Sequence, residues 1–227
     1  MNITFNNKTP ENVGAWLATR PELSHSKIKG GSHDLPLVDG EMYDETYRGD
    51  AEWEFVIHMK NDNYSKAMRK VRQWLQGEGR LVMSDTTDSY YEVKQIELTS
   101  ETRKSMEYGR VKAKCTVYPY EFLTSGNTAI SGGGTIANEH DVSKPLYKIM
   151  GNGDGVLTVN GATMSFSVSG TLYIDVRREF AYNGSNVGQD ANISGDYRKL
   201  RLKTGNNSVS ITSGFDLATY PRWGYVI

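Results

Sequence analysis

The sequence predicts a mainly β protein with one helix. Three observations carry that expectation. Apolar residues alternate at every second position in run after run. Asn-Gly, Gly-rich and Asp-rich segments punctuate those runs. Only one stretch places apolar residues at three- and four-residue spacing. The 227 residues suffice for one large domain or two modest ones, and 37% hydrophobic against 23% charged residues is an ordinary core-forming composition.

Asp50 to Lys60 reads as a strand with Trp53, Phe55, Ile57 and Met59 on one face and Glu52, Glu54 and His58 on the other. The helix is expected from Tyr64 to about Gln76. Asp62 or Asn63 serves as N-cap, Met68, Val71 and Leu75 form the stripe, and Gly77 and Gly79 mark the stop. Arg80–Met83 is a short strand, and Asp85–Ser89 has turn chemistry. Tyr90–Thr99 alternates around Tyr91 and Val93 but carries Ile96 and Leu98 on the opposite parity, so a bulge or two-sided burial is expected near Gln95. The polar run Thr99–Tyr108 is the tip of a hairpin, followed by a strand from Gly109 to Val117. Residues 1–125 form a first domain. Residues 126–141, with Gly132-Gly133-Gly134 at their centre, fit a flexible linker or an exposed edge strand. Residues 142–227 form a second domain, in which Val156–Val159 runs into Asn160-Gly161, a strong hairpin signal. Strands follow at Met164–Val168, Gly170–Asp175 and Asn206–Ile211. From Ser24 to Asp50 the chain supports two short strands and a loop, or an extended arm held by a partner.

Charge and motifs narrow the function. Residues 1–125 carry a net −2 and residues 126–227 a net +1, so neither half has the basic excess of a phosphate-backbone binder. The one cysteine, Cys115, forms no internal disulfide, and its alternation with Val111, Ala113 and Val117 places it in a core as a small hydrophobe. Met1–Lys8 has no secretory-signal pattern, and no apolar run approaches the roughly 18–20 residues of a membrane span. The expectation is a cytosolic product, or one that leaves by a route such as lysis. Gly151–Gly155 offers G-x-G, but a strand follows where a dinucleotide fold needs a helix, so a tight turn is expected. As a calcium loop it fails at Met150 and Gly161. Glu41, Asp44, Glu45 and Asp50 read as a solvated or interface-facing acidic loop. His25, His33, His58 and His140 lack zinc spacing. The basic residues Lys66, Arg69, Lys70 and Arg72 read as the outer face of the helix. The 14 tyrosines fit interfaces and half-buried sheet faces equally. No catalytic, metal or cofactor set emerges, and the expectation is a protein that is not an enzyme.

The order of segments resembles the distal tail (Dit) proteins of long-tailed siphovirus phages infecting Gram-positive bacteria. The first half carries it in Tyr47-Arg48 ahead of the Trp53–Met59 strand, the helix, Gly79-Arg80-Leu81 and two long strands ending in Val117-Tyr118-Pro119-Tyr120-Glu121. The second half carries it in Lys144-Pro145-Leu146, Gly151–Asn160, Leu172-Tyr173-Ile174-Asp175, Leu200–Asn207 and Pro221-Arg222-Trp223. The resemblance implies an N-terminal β-sandwich or split-barrel ring domain with one helix, followed by a galectin-like β-sandwich. It implies a hexameric ring at the virion tail tip and baseplate, acting in host adhesion. That ring joins the major tail tube protein to the tail-associated lysin or tail fibre protein and to a receptor-binding protein, with DNA passing through its lumen without specific contact and no membrane partner.

On that reading the acidic-aromatic arm lies between subunits. The interface residues are then Asp39, Glu41, Tyr43, Tyr47 and Arg48, with Tyr118 and Tyr120. The alternative is a carbohydrate-binding β-sandwich module, for which Trp223 is the candidate pyranose platform, against a place for it in the core.

Overall fold

The computed structural model describes residues 2–34, 41–43, 47–61 and 63–227; of 32–34 and 41–43 only the backbone is described. The described chain is mostly strand with one α-helix, and it divides into two compact units. The first comprises Met1–Glu121 with Val226–Ile227, and the second Phe122–Tyr225.

The first unit contains β1 (Ile3–Phe5), β2 (Ala15–Leu17), β3 (Glu22–Ser24), β4 (Ile28–Lys29), β5 (Ser32–Asp34), β6 (Glu41–Tyr43) and β7 (Tyr47–Arg48). They are followed by β8 (Ala51–Lys60), α1 (Tyr64–Trp74), β9 (Gly79–Met83), β10 (Thr86–Arg103) and β11 (Tyr108–Leu123). The main sheet runs β1-β9-β10-β11-β8-β2, with β3 also on β8. The alternation in β8 and β11 is realised in full. Trp53, Phe55, Ile57 and Met59 are buried beside Val111, Ala113, Cys115 and Val117. Each of the Val, Ile, Met and Phe side chains among them contributes roughly 1.5–3 kcal/mol on burial. On β10, Tyr91 and Val93 face this core, and Ile96 and Leu98 of opposite parity also pack against it, so the strand changes its inward face near Gln95.

Helix α1 closes the core. Tyr64, Met68, Val71, Trp74 and the capping Leu75 are buried in it, and Trp74 Nε1 donates to Phe5 O at 3.1 Å. Asn63 Oδ1 accepts from Lys66 N at 3.0 Å and supplies the N-cap. Asp62, the other candidate cap, lies outside the described residues. The helix ends at Trp74 rather than Gln76, and Gly77 takes φ +77 behind it. Strand character also extends into the expected turn at Asp85–Ser89: Thr86 pairs Met83, which leaves Ser84-Asp85 as a two-residue turn, and a bulge absorbs the register change before Tyr91.

The second unit contains β12 (Ile130–Ser131), β13 (Gly134–Asn138), β14 (Leu146–Val159), β15 (Ala162–Asp175), β16 (Phe180–Asn183), β17 (Ile193–Gly195), β18 (Gly205–Ile211) and β19 (Asp216–Tyr220). The terminal strand β20 (Gly224–Val226) follows. The β14–β15 hairpin turns at Asn160 and Gly161, both at positive φ as the primed two-residue turn requires. This hairpin serves both faces of a sandwich. Its open end carries β19 on Leu146–Met150 and β16 on Leu172–Asp175, while its turn end carries β18 on Leu157–Val159 and β17 on Met164–Phe166. Between the two ends Gly151 and Gly153 take φ of +154 and +112 opposite Gly170 at +89. Strands switch sheets at such bends. The expected tight turn at Gly151–Gly155 is therefore corrected to a bend inside one long strand, and Met164–Asp175 is one strand rather than two. Tyr147, Ile149, Leu157, Val159, Met164, Phe166, Leu172 and Ile174 then share one core.

The Gly-rich segment 126–141 is not a linker in the structure. It takes the edge-strand alternative. Strand β12 pairs β19, and β13 pairs β18 from Gly134–Val209 to Asn138–Gly205. Ile136 is buried in the core and anchors it there.

Candidate functional site

The first unit bears a two-stranded arm. Strand β4 pairs β7 (Ile28–Arg48, Lys29–Tyr47) and β5 pairs β6 (Ser32–Tyr43 to Asp34–Glu41). Among the described residues these ribbons pair with no strand of the main sheet. A lone two-stranded ribbon is marginal in water and gains stability from a surface to pack on. Ile28 and Tyr47 are 63% and 65% exposed on neighbouring strands, so the arm presents large apolar area outward. At its root Ser26 N and Oγ both donate to Ile227 O, and Gly49 N donates to Lys27 O at 2.8 Å.

The structure places the expected interface residues unevenly. Tyr47 and Arg48 lie on this arm, and Glu41 and Tyr43 lie on its outer ribbon by backbone position. Asp39, with Asp44 and Glu45 of the acidic cluster, lies outside the described residues. Tyr118 and Tyr120 are half-buried on the outer face of β11. Lys94 Nζ stands 4.0 Å over the Tyr118 ring and 2.7 Å from Asp50 Oδ1, two residues beyond β7. The structure thus joins the arm's root to Tyr118 through Lys94.

The same sheet face carries a cross-strand charge ladder, with Lys112 3.6 Å from Glu54 and Lys114 2.9 Å from Glu52. At its far end is an aromatic group that sequence reasoning passed over. Trp16, 39% exposed, stacks on His58 at 5.8 Å, and His58 Nδ1 lies 2.5 Å from Tyr108 Oη. Burial, and then Arg110 and Lys104, hold the imidazole below its usual range, which keeps it neutral and available to the tyrosine. The signal lay in the registration of Trp16 opposite His58, which only the β2–β8 pairing creates.

Candidate chemistry is sparse. Cys115 is fully buried, and burial pushes its thiol up to about 12, so it is inert as a nucleophile. Among the described residues no three His, Cys, Asp or Glu side chains approach closely enough to hold a metal ion. In the second unit an open groove of about 570 Å³ is lined by Asp154, Ser165, Ser167, Asn192, Ser194 and Thr212. Asp154 is its one carboxylate, so it lacks the pair that general acid–base work employs. Trp223 is 8% exposed, belongs to the core, and has His140 at 5.7 Å. It offers no open ring to a pyranose, which corrects its candidacy as a glycan platform. No described helix is long and apolar enough to cross a membrane.

The second unit is locked by a buried ion pair. Asp175, whose side chain is 1% exposed, accepts from Arg222 Nη1 at 2.6 Å and Nη2 at 3.0 Å. It also accepts from the backbone N of Arg177 and Arg178 at 3.0 and 3.2 Å. Burial alone would raise its carboxyl; the Arg222 fork and these N–H groups outweigh burial and hold it below the usual carboxylate range.

No protein-family model matches the sequence, and no curated protein sequence matches it. Solved structures do. The chain is similar to the Dit protein (gp19.1) of phage SPP1, described as a paradigm of the hub adsorption apparatus of phages infecting Gram-positive bacteria. The identity is 12% and the TM-score 0.67, covering 96% of this chain and 97% of that one. It is also similar to a chain of the phage P2 baseplate in its activated conformation with calcium, at 7% identity and TM-score 0.54 over the same shares. At these identities the likeness is one of fold, and it runs through both units.

Proposed function

We propose that this chain is a structural hub of a phage tail tip. Copies of it close head-to-tail into a ring, a hexamer on the Dit pattern, that continues the major tail tube protein. The ring carries the tail-associated lysin or tail fibre protein and the receptor-binding machinery. The first unit forms the ring, and the galectin-like second unit decorates it. The observation that carries this reading is the end-to-end sharing of a two-unit fold with a protein described as a hub adsorption apparatus. The arm supports it independently, since a ribbon with Ile28 and Tyr47 exposed gains most by packing against a neighbouring copy. Tyr47, Arg48, Tyr118 and Tyr120 are the proposed subunit contacts, and DNA passes through the lumen without specific recognition.

Light scattering of the purified chain, with negative-stain images of the same fractions, tests this. A hexamer mass with ring particles is expected. A monomer that persists at high concentration and alongside candidate tail proteins would overturn it.

A further inference from the structure

Helix α1 turns a basic stripe outward. Lys66, Arg69, Lys70 and Gln73 are exposed and follow one another at three- and four-residue spacing, so they share one face. Like charges at this spacing repel, and the helix itself holds no acidic residue. Arg72, off this face, pairs with Glu101. Among the described residues Lys66, Arg69 and Lys70 form no ion pair. Beside the stripe lies an open cleft of about 440 Å³ whose lining includes Asn7, Lys8, Asn12, Lys70, Gln73 and Trp74, which adds the exposed Lys8 as a fourth cation.

The arm supplies the opposite charge. From Gly30 to Tyr47 the sequence holds five carboxylates, Asp34, Asp39, Glu41, Asp44 and Glu45, and no Lys or Arg. Strand pairing sets arm and helix at opposite ends of β8. Strand β3 runs antiparallel to β8, from Glu22 opposite Glu54 to Ser24 opposite Glu52, so the chain enters the arm past the Ala51 end. Strand β7 returns to that same end, and α1 follows Lys60 at the other. The ten residues of β8 span about 30 Å. Within one copy the arm would have to fold back along the whole of β8. Between copies related head to tail, the arm end of one meets the helix end of the next.

We propose that the stripe of Lys66, Arg69 and Lys70, with the Lys8 cleft beside it, is the seat for the acidic arm of a second copy. The inference rests on the tail-hub reading and names the surface that closes the ring. Opposite charge at the two ends steers copies into head-to-tail order, while arm against arm and helix against helix repel. The polarity of the ring is thus set before the exposed Ile28 and Tyr47 are covered. The amides of Asn7, Asn12 and Gln73 suit the backbone and carboxylate oxygens of an extended segment.

The test uses the full chain. Copies grown in normal and in heavy nitrogen are mixed at high concentration and treated with a carbodiimide, which joins carboxylates to amines in contact. Mass spectrometry should find the segment 30–47 of one isotope joined to Lys8, Lys66 or Lys70 of the other. Lys66→Glu with Lys70→Glu, folded by circular dichroism, should raise the concentration for half-assembly in light scattering at least about tenfold. Adding Glu41→Lys with Glu45→Lys to that chain should restore assembly, because the exchanged charges are complementary again. Rings in negative stain without mixed-isotope links from arm to helix would overturn the seat and leave the hub reading standing. Neither rings nor links, at high concentration and alongside candidate tail proteins, would overturn both. Links within one isotope only, or no recovery in the charge-exchanged chain, would overturn the proposal. So would duplex DNA held by the stripe without mixed links, which would make it a phosphate-backbone face.

Discussion

Substituting Asp175 by Ala should unfold the second unit more readily than any other single polar change in it. The substitution leaves the Arg222 guanidinium, 16% exposed, without its carboxylate, and removes the acceptor of two backbone N–H groups. Breaking one side of a buried ion pair costs about 3–5 kcal/mol. For a unit of about a hundred residues each kcal/mol lowers the melting temperature by about 4–8 °C, so a fall of at least about 12 °C is expected by calorimetry. Replacing both partners with apolar residues, Asp175→Leu with Arg222→Met, should recover much of the loss, because no unpaired charge remains. The pH dependence has a definite sign. Asp175 is held below its unfolded value of about 3.9, so its stabilisation is complete above that value and is lost as pH falls through the lower folded value. Wild type should therefore lose an acid-labile component below about pH 4 that the Asp175→Ala chain lacks. A single variant melting within about 2 °C of wild type, or a double variant no better than the single, would refute this account of the lock.

Gly126→Ala should destabilise the second unit by about 1–3 kcal/mol, because its Cβ would stand 2.2 Å from Trp223 N; denaturant titration measures it. Cys115 should resist Ellman's reagent in the native chain and react only at the unfolding rate, since the thiol is buried and pushed up to about 12. Ile28→Asp with Tyr47→Asp should leave stability within about 0.5 kcal/mol while abolishing assembly in light scattering, because both side chains are exposed in the single chain.

The first unit was the more legible in sequence because its core strands obey a local rule. In β8 the inward Trp53, Phe55, Ile57 and Met59 and the outward Glu52, Glu54 and His58 read directly off a period of two. The helix stripe and its Asn63 cap were equally local. What stayed hidden depends on partners distant in sequence. Ile136 holds a Gly-rich segment in the second core, yet 126–141 read equally as linker or edge strand because the glycines at 132–134 give no pattern to alternate. Gly151 and Gly153 read as a turn because positive-φ residues look alike in sequence whether they reverse a strand or bend it between two sheets. The Trp16–His58 stack arises from a strand pairing across more than forty positions, and no local signal encodes it.

The motifs of the second half are individually ordinary, and the structure supplies the reason they occur together. Leu172-Tyr173-Ile174-Asp175 ends with the carboxylate that Pro221-Arg222-Trp223 delivers its guanidinium to. Arg222 reaches it at φ +54, a backbone state that costs a non-glycine residue free energy and that the fork and the Arg222 N to Gly126 O bond of 2.8 Å offset. Lys144-Pro145-Leu146 enters beside them, its Pro145 carbonyl taken by Val176. Leu200 closes the same end by accepting the buried Tyr147 hydroxyl at 2.9 Å. Four segments scattered over eighty residues thus converge on one end of the sandwich, and each constrains the others. Such mutual constraint makes the four segments act as one unit, so a change in any of them is felt by the other three.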